Sequence, residues 1–225
     1  MIYLFTNRAF GPPFLAAASK FARRTGVPIT AVFSTRKRRP PGGPIAAMRA
    51  LAARWRASRD PVLQGLSTLS VEDVNAPSFV DRLRPGDTGI IAGFNQIFGD
   101  AAIERLAPFV NIHPSLLPYY RGPEPARWCI ANGETSTGFT IHTVTRRIDA
   151  GEILFQDTLQ IDPHEDVGTL STRIARLAVP VFEKWLDHVA SGTAWERRVI
   201  DAGAVYRRLV DYQSFGASET VRDKR

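Results

Sequence analysis

Thr88-Gly89-Ile90-Ile91-Ala92, closed by Gly93, and Phe109-Val110-Asn111-Ile112, with a helical stretch from Ala101 to Leu106 between them, read as strand, helix, strand. The first run is almost continuously apolar, as a parallel strand must be when helices cover both of its faces. Toward the N-terminus, Ile2 to Phe5 and Val27 to Phe33 read as further strands. Between them a helix starts at Pro12-Pro13, with Phe14, Leu15, Ala18, Phe21 and Ala22 along one face. Pro77 to Leu83 forms a weaker helix before Pro85-Gly86. Toward the C-terminus, Arg127 to Ala131 begins like a helix, and Phe139 to Val144 and Ile153 to Ile161 alternate as strands. Val167, Leu170, Ile174, Leu177, Val181 and Trp185 recur at helical spacing on one long amphipathic helix. Pro180 lies inside it and removes a backbone hydrogen bond, which predicts a kink or two abutting helices. Alternating strands and helices predict an α/β fold, a doubly wound, mostly parallel sheet with a short C-terminal appendage. In such sheets ligands bind beyond the carboxyl ends of the strands, where Asn111 and His113 fall.

The 225 residues suffice for one substantial core, so the expected organisation is a domain over 1–192 and a partly ordered extension over 193–225. No apolar run approaches the roughly 18 residues of a membrane span. Met1 to Arg8 lacks the basic segment of an export signal, so a cytoplasmic location is expected. The single cysteine, Cys129, excludes an internal disulfide and a multi-cysteine metal site, and its ordinary role is a small buried apolar side chain. Net charge is +7, and no acidic residue precedes Asp60, whereas basic residues run from Arg8 through Arg36-Lys37-Arg38-Arg39 to Arg59. An electropositive end favours a phosphorylated or polyanionic partner, a solvated basic surface being the plainer alternative. Ser34 to Pro44 is too rich in proline, glycine and charge to be regular and reads as an exposed basic loop. Ile45 to Arg59 reads as a helix with a basic side.

Asn111-Ile112-His113-Pro114-Ser115-Leu116-Leu117-Pro118, then Arg121-Gly122 and Asp149-Ala150-Gly151, bring an amide, an imidazole and a carboxylate to strand ends. Acyl transfer to an amine passes through a tetrahedral species with charge on oxygen and excess protons on nitrogen. A catalyst therefore needs donors for the oxygen and a base for the nitrogen. Asn111 can donate, His113 can donate when protonated, and Asp149 can hold the charged imidazole and take the amine proton. Taken singly, each has an ordinary role as loop cap, structural hydrogen-bonder or turn former. His142, on an alternating strand, reads as structural. The four histidines are too scattered for a zinc site, and no Gly-x-Gly-x-x-Gly follows the first strand.

The longer pattern, Asn111 to Pro123 with Trp128, Asn132-Gly133-Glu134, Thr137-Gly138-Phe139-Thr140-Ile141-His142 and Asp149-Ala150-Gly151, resembles the formyltransferases that use 10-formyltetrahydrofolate. It is dense from Thr88 to Gly151 and traceable from Met1 to about Gly192. The resemblance implies a formyltransferase-type Rossmann-like catalytic domain with Asn111, His113 and Asp149 as catalytic trio. It implies a pterin held by Phe94, Asn95, Gln96, Ile97 and Phe98 and by the backbone around Thr143, Val144, Arg146 and Ile148. Arg8, Ser115, Tyr120, Arg121 and Gly122 are expected to meet the amine substrate. Transfer is direct, with no metal and no acyl-enzyme. Ser115 sits in His-Pro-Ser-Leu-Leu rather than in a glycine-flanked nucleophile elbow.

Within that family, Thr6-Asn7-Arg8-Ala9-Phe10-Gly11 departs from the phosphate loop of the glycinamide ribonucleotide enzymes. The long loop after the second strand and Arg121-Gly122-Pro123 look more like the methionyl-tRNA and amino-sugar enzymes. Few residues follow Gly192, where the tRNA enzymes carry a β-barrel domain, so the expected acceptor is a small phosphorylated amine, foremost a nucleotide-linked amino sugar. The alternatives are aminoacyl-tRNA or a carrier-bound aminoacyl group, a hydroxylamine-type amino acid, or a non-catalytic basic module that binds nucleic acid or folate. Val205, Leu209 and Val210 are expected to pack on the core or on the second subunit of a homodimer.

Overall fold

The computed structural model describes residues 1–35 and 61–201. The basic loop Arg36 to Arg39, the helix expected over Ile45 to Arg59, and Val205, Leu209 and Val210 lie outside the described residues. The chain divides into two compact units. The first holds Met1–Val110 and Val179–Trp195, and the second begins with Asn111–Ala178 and takes up the chain again from Glu196.

The first unit contains β1 (Ile2–Thr6), α1 (Pro12–Thr25), β2 (Ile29–Ser34), a 3₁₀ turn (Pro61–Leu63), β3 (Ser67–Val71), α2 (Pro77–Val80), β4 (Asp87–Ala92), α3 (Asp100–Arg105) and the start of β5 (Leu106–His113). The strand order is β3-β2-β1-β4-β5. Pairing is parallel, with Ile2 opposite Ile29 and Thr88, and Thr30 opposite Ser67. All five residues of β1 are buried, which is why the central strand reads as an unbroken apolar run. β3, Ser-Thr-Leu-Ser-Val, is absent from the sequence reading. It is an edge strand, mostly exposed, whose backbone pairs while its side chains carry no strong apolar signal.

Phe5 is the hub of this unit, with Phe79, Phe98 and Phe109 rings 4.8–6.0 Å from its own. Burying one such ring is worth about 1.5–3 kcal/mol. Gly89 makes room for the cluster, because a Cβ there would stand 2.6 Å from the Phe109 ring. At the carboxyl ends of β1 and β4 the Thr6 hydroxyl donates to the Ala92 carbonyl at 2.8 Å. The strand end is thereby tied down just before the segment Gly93 to Gly99.

The second unit contains the end of β5, α4 (Pro125–Ala131), β6 (Ser136–Thr143), β7 (Ile153–Gln160) and the start of α5 (Val167–Ser191). Its strand order is β5-β6-β7, with β7 antiparallel to β6. The register slips between Ile141 and His142. The chain beyond α5 returns to β7: Gln156 N–H donates to the Arg198 carbonyl at 2.7 Å and Arg198 N–H to that of Leu154 at 3.1 Å. Asp166 caps α5 by accepting from the Gly168 and Thr169 amides at 2.8 and 3.0 Å.

α5 is one helix through Pro180 rather than two abutting ones. The proline costs about 3 kcal/mol. Phe182, Trp185 and Leu186 on the turns that follow are at most 1% exposed. Each returns roughly 1.5–3 kcal/mol, so burial outweighs the lost bond.

Candidate active site

Asn111 and His113 are alternate residues at the carboxyl end of β5, so both side chains leave the same face of the strand. Asp149 lies between β6 and β7 with a left-handed backbone (φ 47°). That conformation is uncommon except for Asn, Asp and Gly. Two residues on, Gly151 passes so close to Thr143 that a Cβ would stand 1.7 Å from its carbonyl oxygen. Aspartate for the turn and glycine for the close approach give Asp-Ala-Gly its physical reason.

The three predicted catalytic side chains come together in the second unit. One Asp149 oxygen lies 3.4 Å from His113 Nδ1 and accepts the Gly122 N–H at 2.8 Å. The other accepts from Asn111 Nδ2 at 3.3 Å and lies 3.4 Å from His142 Nε2. Asp149 is only 11% exposed as a side chain. Burial by itself would raise its carboxyl, yet the His113 ring, the His142 hydrogen bond and the Gly122 amide together hold it well below the usual carboxylate range.

His113 is buried, with Nε2 2.8 Å from the Tyr120 carbonyl. Burial pushes its pKa below the usual imidazole value, and the Asp149 carboxylate opposes that shift. A carbonyl can only accept, so Nε2 carries a proton. Nδ1 faces a second acceptor, the carboxylate, so only the imidazolium satisfies both sides of the ring at once.

His142 belongs to this group, although its sequence context reads as structural. Its Nδ1 is 2.9 Å from the Thr143 carbonyl, which can only accept, so Nδ1 carries a proton. Nε2 lies 3.1 Å from the Asn111 amide nitrogen and 3.4 Å from Asp149 Oδ1. Asp149 and His142 both lie against that amide nitrogen, 3.4 Å from each other, and fix which way it points. The sequence signal for His142 was its place at the end of the pattern Thr137 to His142; the register slip beside it belongs to the structure. His142→Phe is expected to lower kcat by about 10- to 100-fold through a misplaced amide, read from steady-state kinetics. Unchanged kcat would remove His142 from the site.

The remaining predicted contacts separate by burial. In the first unit, Arg8 is exposed in the turn after β1, beside Asn7, whose side chain accepts the Ala9 and Phe10 amides at 2.8 Å. In the segment after β4, Phe98 is buried and Phe94 packs on it, with ring centroids 5.9 Å apart. The Gln96 carboxamide is also buried, accepting from Val74 N–H at 3.0 Å and donating to Ser34 Oγ at 2.7 Å. Asn95 and Ile97 face outward, and Asn75 pins the segment by donating to the Ile97 carbonyl at 2.9 Å and accepting the Gly99 amide.

In the second unit, Thr143 and Val144 are half-buried, and Arg146 and Ile148 are exposed. Ser115 and Tyr120 are 0% and 1% exposed, with Ser115 Oγ donating to the Tyr119 carbonyl at 3.1 Å and Tyr120 Oη to Glu134. Contact between these two side chains and an acceptor requires the loop to move. The Arg121 Nε is buried without a hydrogen-bond partner.

Among the described residues, no cluster of three or more acidic, histidine or cysteine side chains is arranged to hold a metal ion. No described helix is long and apolar enough to cross a membrane.

The chain matches the formyl transferase family over residues 55–186, more than half its length, and it belongs to that family. It is 34% identical over 149 residues to the methionyl-tRNA formyltransferase of Geobacter metallireducens, covering 65% of this chain and 48% of that protein. The chain spans about half the length of the curated relatives it matches. Among solved structures, glycinamide ribonucleotide transformylase 1 from Symbiobacterium toebii is similar with a TM-score of 0.61, 20% identity and coverage of 89% of this chain and 93% of that one. A sugar 3N-formyl transferase crystallised in the presence of dTDP and 5-N-formyl-THF is similar with a TM-score of 0.60, 16% identity and coverage of 89% and 67%. At these identities the two structures show a shared fold, the α/β formyltransferase architecture.

Proposed function

We propose that the chain transfers a formyl group from 10-formyltetrahydrofolate to a primary amine. The observation that carries this reading is the convergence of Asn111, His113 and His142 on the buried carboxylate of Asp149. The folate supplies an activated formyl group. Asn111, and His113 by sharing the Nε2–H that the Tyr120 carbonyl holds, give hydrogen bonds to the formyl oxygen as charge grows on it, and Asp149 receives the proton that the attacking amine must lose. As the carbon–nitrogen bond to the amine forms, that to the folate nitrogen breaks, and a proton returns to the folate nitrogen.

Two exposed apolar residues support the folate assignment. Ile97, 64% exposed, and Ile148, 51% exposed, are among only four large hydrophobic side chains exposed in the described residues. Each falls in a segment that the family resemblance associates with the pterin. The buried carboxamide of Gln96 and ring of Phe98 leave backbone, the half-buried Phe94, Asn95 and Ile97 as the contacts available in the first segment. Residues 1–192 act in this reading as the catalytic domain and 193–225 as an extension, whose described part borders β7.

In this reading the acceptor is a phosphorylated amine, foremost a nucleotide-linked amino sugar, and the unpartnered Nε of the half-buried Arg121 supports an anionic group beside it. The second reading is aminoacyl-tRNA, favoured by the 34% identity to the Geobacter enzyme. Release of tetrahydrofolate in the presence of nucleotide-linked amino sugars, methionyl-tRNA and glycinamide ribonucleotide decides among them. No release with any amine, alongside tight and salt-dependent binding of RNA, overturns the catalytic reading.

Because Asp149 is held below the usual carboxylate range, it stays ionised throughout the range where an amine titrates. The acid limb of kcat/KM is therefore expected to move with the pKa of the acceptor's amine. Comparing two acceptors of different basicity checks this, and an identical limb for both would assign it to an enzyme group.

A further inference from the structure

We propose that Glu134 is a positioning residue for His113, acting through Tyr120: the carboxylate holds the tyrosine ring, and the tyrosine backbone presents the carbonyl that keeps a proton on His113 Nε2. The inference rests on the formyl-transfer reading for its kinetic consequence, though not for its structural one.

The Tyr120 carbonyl is what His113 Nε2 meets, at 2.8 Å, and Ser115 Oγ approaches the same oxygen at 3.4 Å. No regular element holds that carbonyl in place. Tyr120 lies in the loop between β5 and α4, with φ 55°, a left-handed conformation that an aromatic residue adopts only under constraint. The constraint comes from the side chain. The ring is 1% exposed and packs with Leu116 and Cys129, against which Tyr119 and Trp128 also lie. Its hydroxyl donates to Glu134 Oε1 at 2.5 Å, and Asn132 Nδ2 donates to the hydroxyl at 3.4 Å.

Glu134, 7% exposed, is fixed in turn by its own amide, which donates to the Cys129 carbonyl at 3.0 Å. Burial, followed by the bond to Glu134, pushes the Tyr120 hydroxyl far above its ordinary pKa, so it remains a donor at every working pH. Remove the carboxylate and the hydroxyl keeps a donor beside it but loses this acceptor. The strained backbone then has less to hold it, the carbonyl drifts from Nε2, and the charged ring loses one of its two acceptors.

The test is 15N NMR of the His113 ring, followed through pH, in the native protein and in Glu134→Ala, Glu134→Gln and Tyr120→Phe, together with kcat and KM. In the native protein the proton of the neutral ring is expected on Nε2. In Glu134→Ala and Tyr120→Phe a mixed tautomer and a lower titration midpoint are expected. In both variants kcat falls tenfold or more with little change in KM for folate, and the alkaline limb moves to lower pH. Glu134→Gln, which keeps a neutral acceptor, falls between. If Glu134→Ala does not fold, Glu134→Gln and Tyr120→Phe give the same readout. An unchanged tautomer and midpoint, with only a lower melting temperature, would overturn the proposal and leave Glu134 a packing residue. Absence of formyl transfer by the native protein would instead count against the functional reading, while the ring spectra would still decide the role of Glu134.

Discussion

Asp149→Asn is expected to lower kcat by about 10²- to 10⁴-fold, the range for loss of a general base, while folate affinity is retained. The substitution keeps shape and removes charge, so it isolates what the carboxylate does. In the native protein the two oxygens face the Gly122 amide, the Asn111 amide and the rings of His113 and His142. Three of these can only donate or are best satisfied when they donate. An amide must turn its own NH₂ toward one side of that set, opposing donor with donor, and about 1–3 kcal/mol of stability should go with the lost acceptor.

The stability effect has a defined pH dependence. The folded carboxyl titrates below its unfolded value of about 3.9. Its contribution is therefore present above that value and lost as pH falls toward the folded one. Urea midpoints for native and variant protein should converge below about pH 4. A variant that forms tetrahydrofolate within a few-fold of the native rate would remove Asp149 from the chemistry.

His113→Ala is expected to lower kcat and kcat/KM together by about 10²- to 10³-fold, as when a donor to a developing oxyanion is deleted. Equal loss in both constants is the signature of a bond made only as charge appears on oxygen. The change should also return the Asp149 carboxyl toward ordinary values, because the His113 ring is the first favourable charge holding it down. Because the carboxylate then takes a proton at a higher pH, an acid limb belonging to the enzyme should emerge, independent of the acceptor's amine. Raised KM with kcat intact would mean instead that His113 only binds substrate.

The elements that carry the site were legible from local pattern. The apolar runs from Ile2 and Thr88, the Pro12-Pro13 helix start and the long helical spacing from Val167 all reflect burial periodicity, which each stretch carries in its own residues. β3 left little trace, since Ser67 to Val71 needs only backbone pairing at the sheet edge. Whether the helix continues through Pro180 was not decided locally for a related reason: local chemistry registers the missing N–H, while the burial of Phe182, Trp185 and Leu186 is supplied by the rest of the fold.

At the site itself, the residue types at positions 111, 113 and 149 suit acyl transfer to an amine, and the longer pattern around them, with its resemblance to the formyltransferases, is what singles them out. Which further groups join them depends on contacts between residues far apart in the chain. Asn111 meets His142 from 31 positions away and Asp149 from 38. Only the tertiary structure brought His142 to the Asn111 amide, turned the Tyr120 hydroxyl inward to Glu134 and used up the carboxamide of Gln96. A linear sequence records what a side chain can do; its hydrogen-bond partners, and hence its protonation and its availability to a substrate, are set by what the folded chain places beside it.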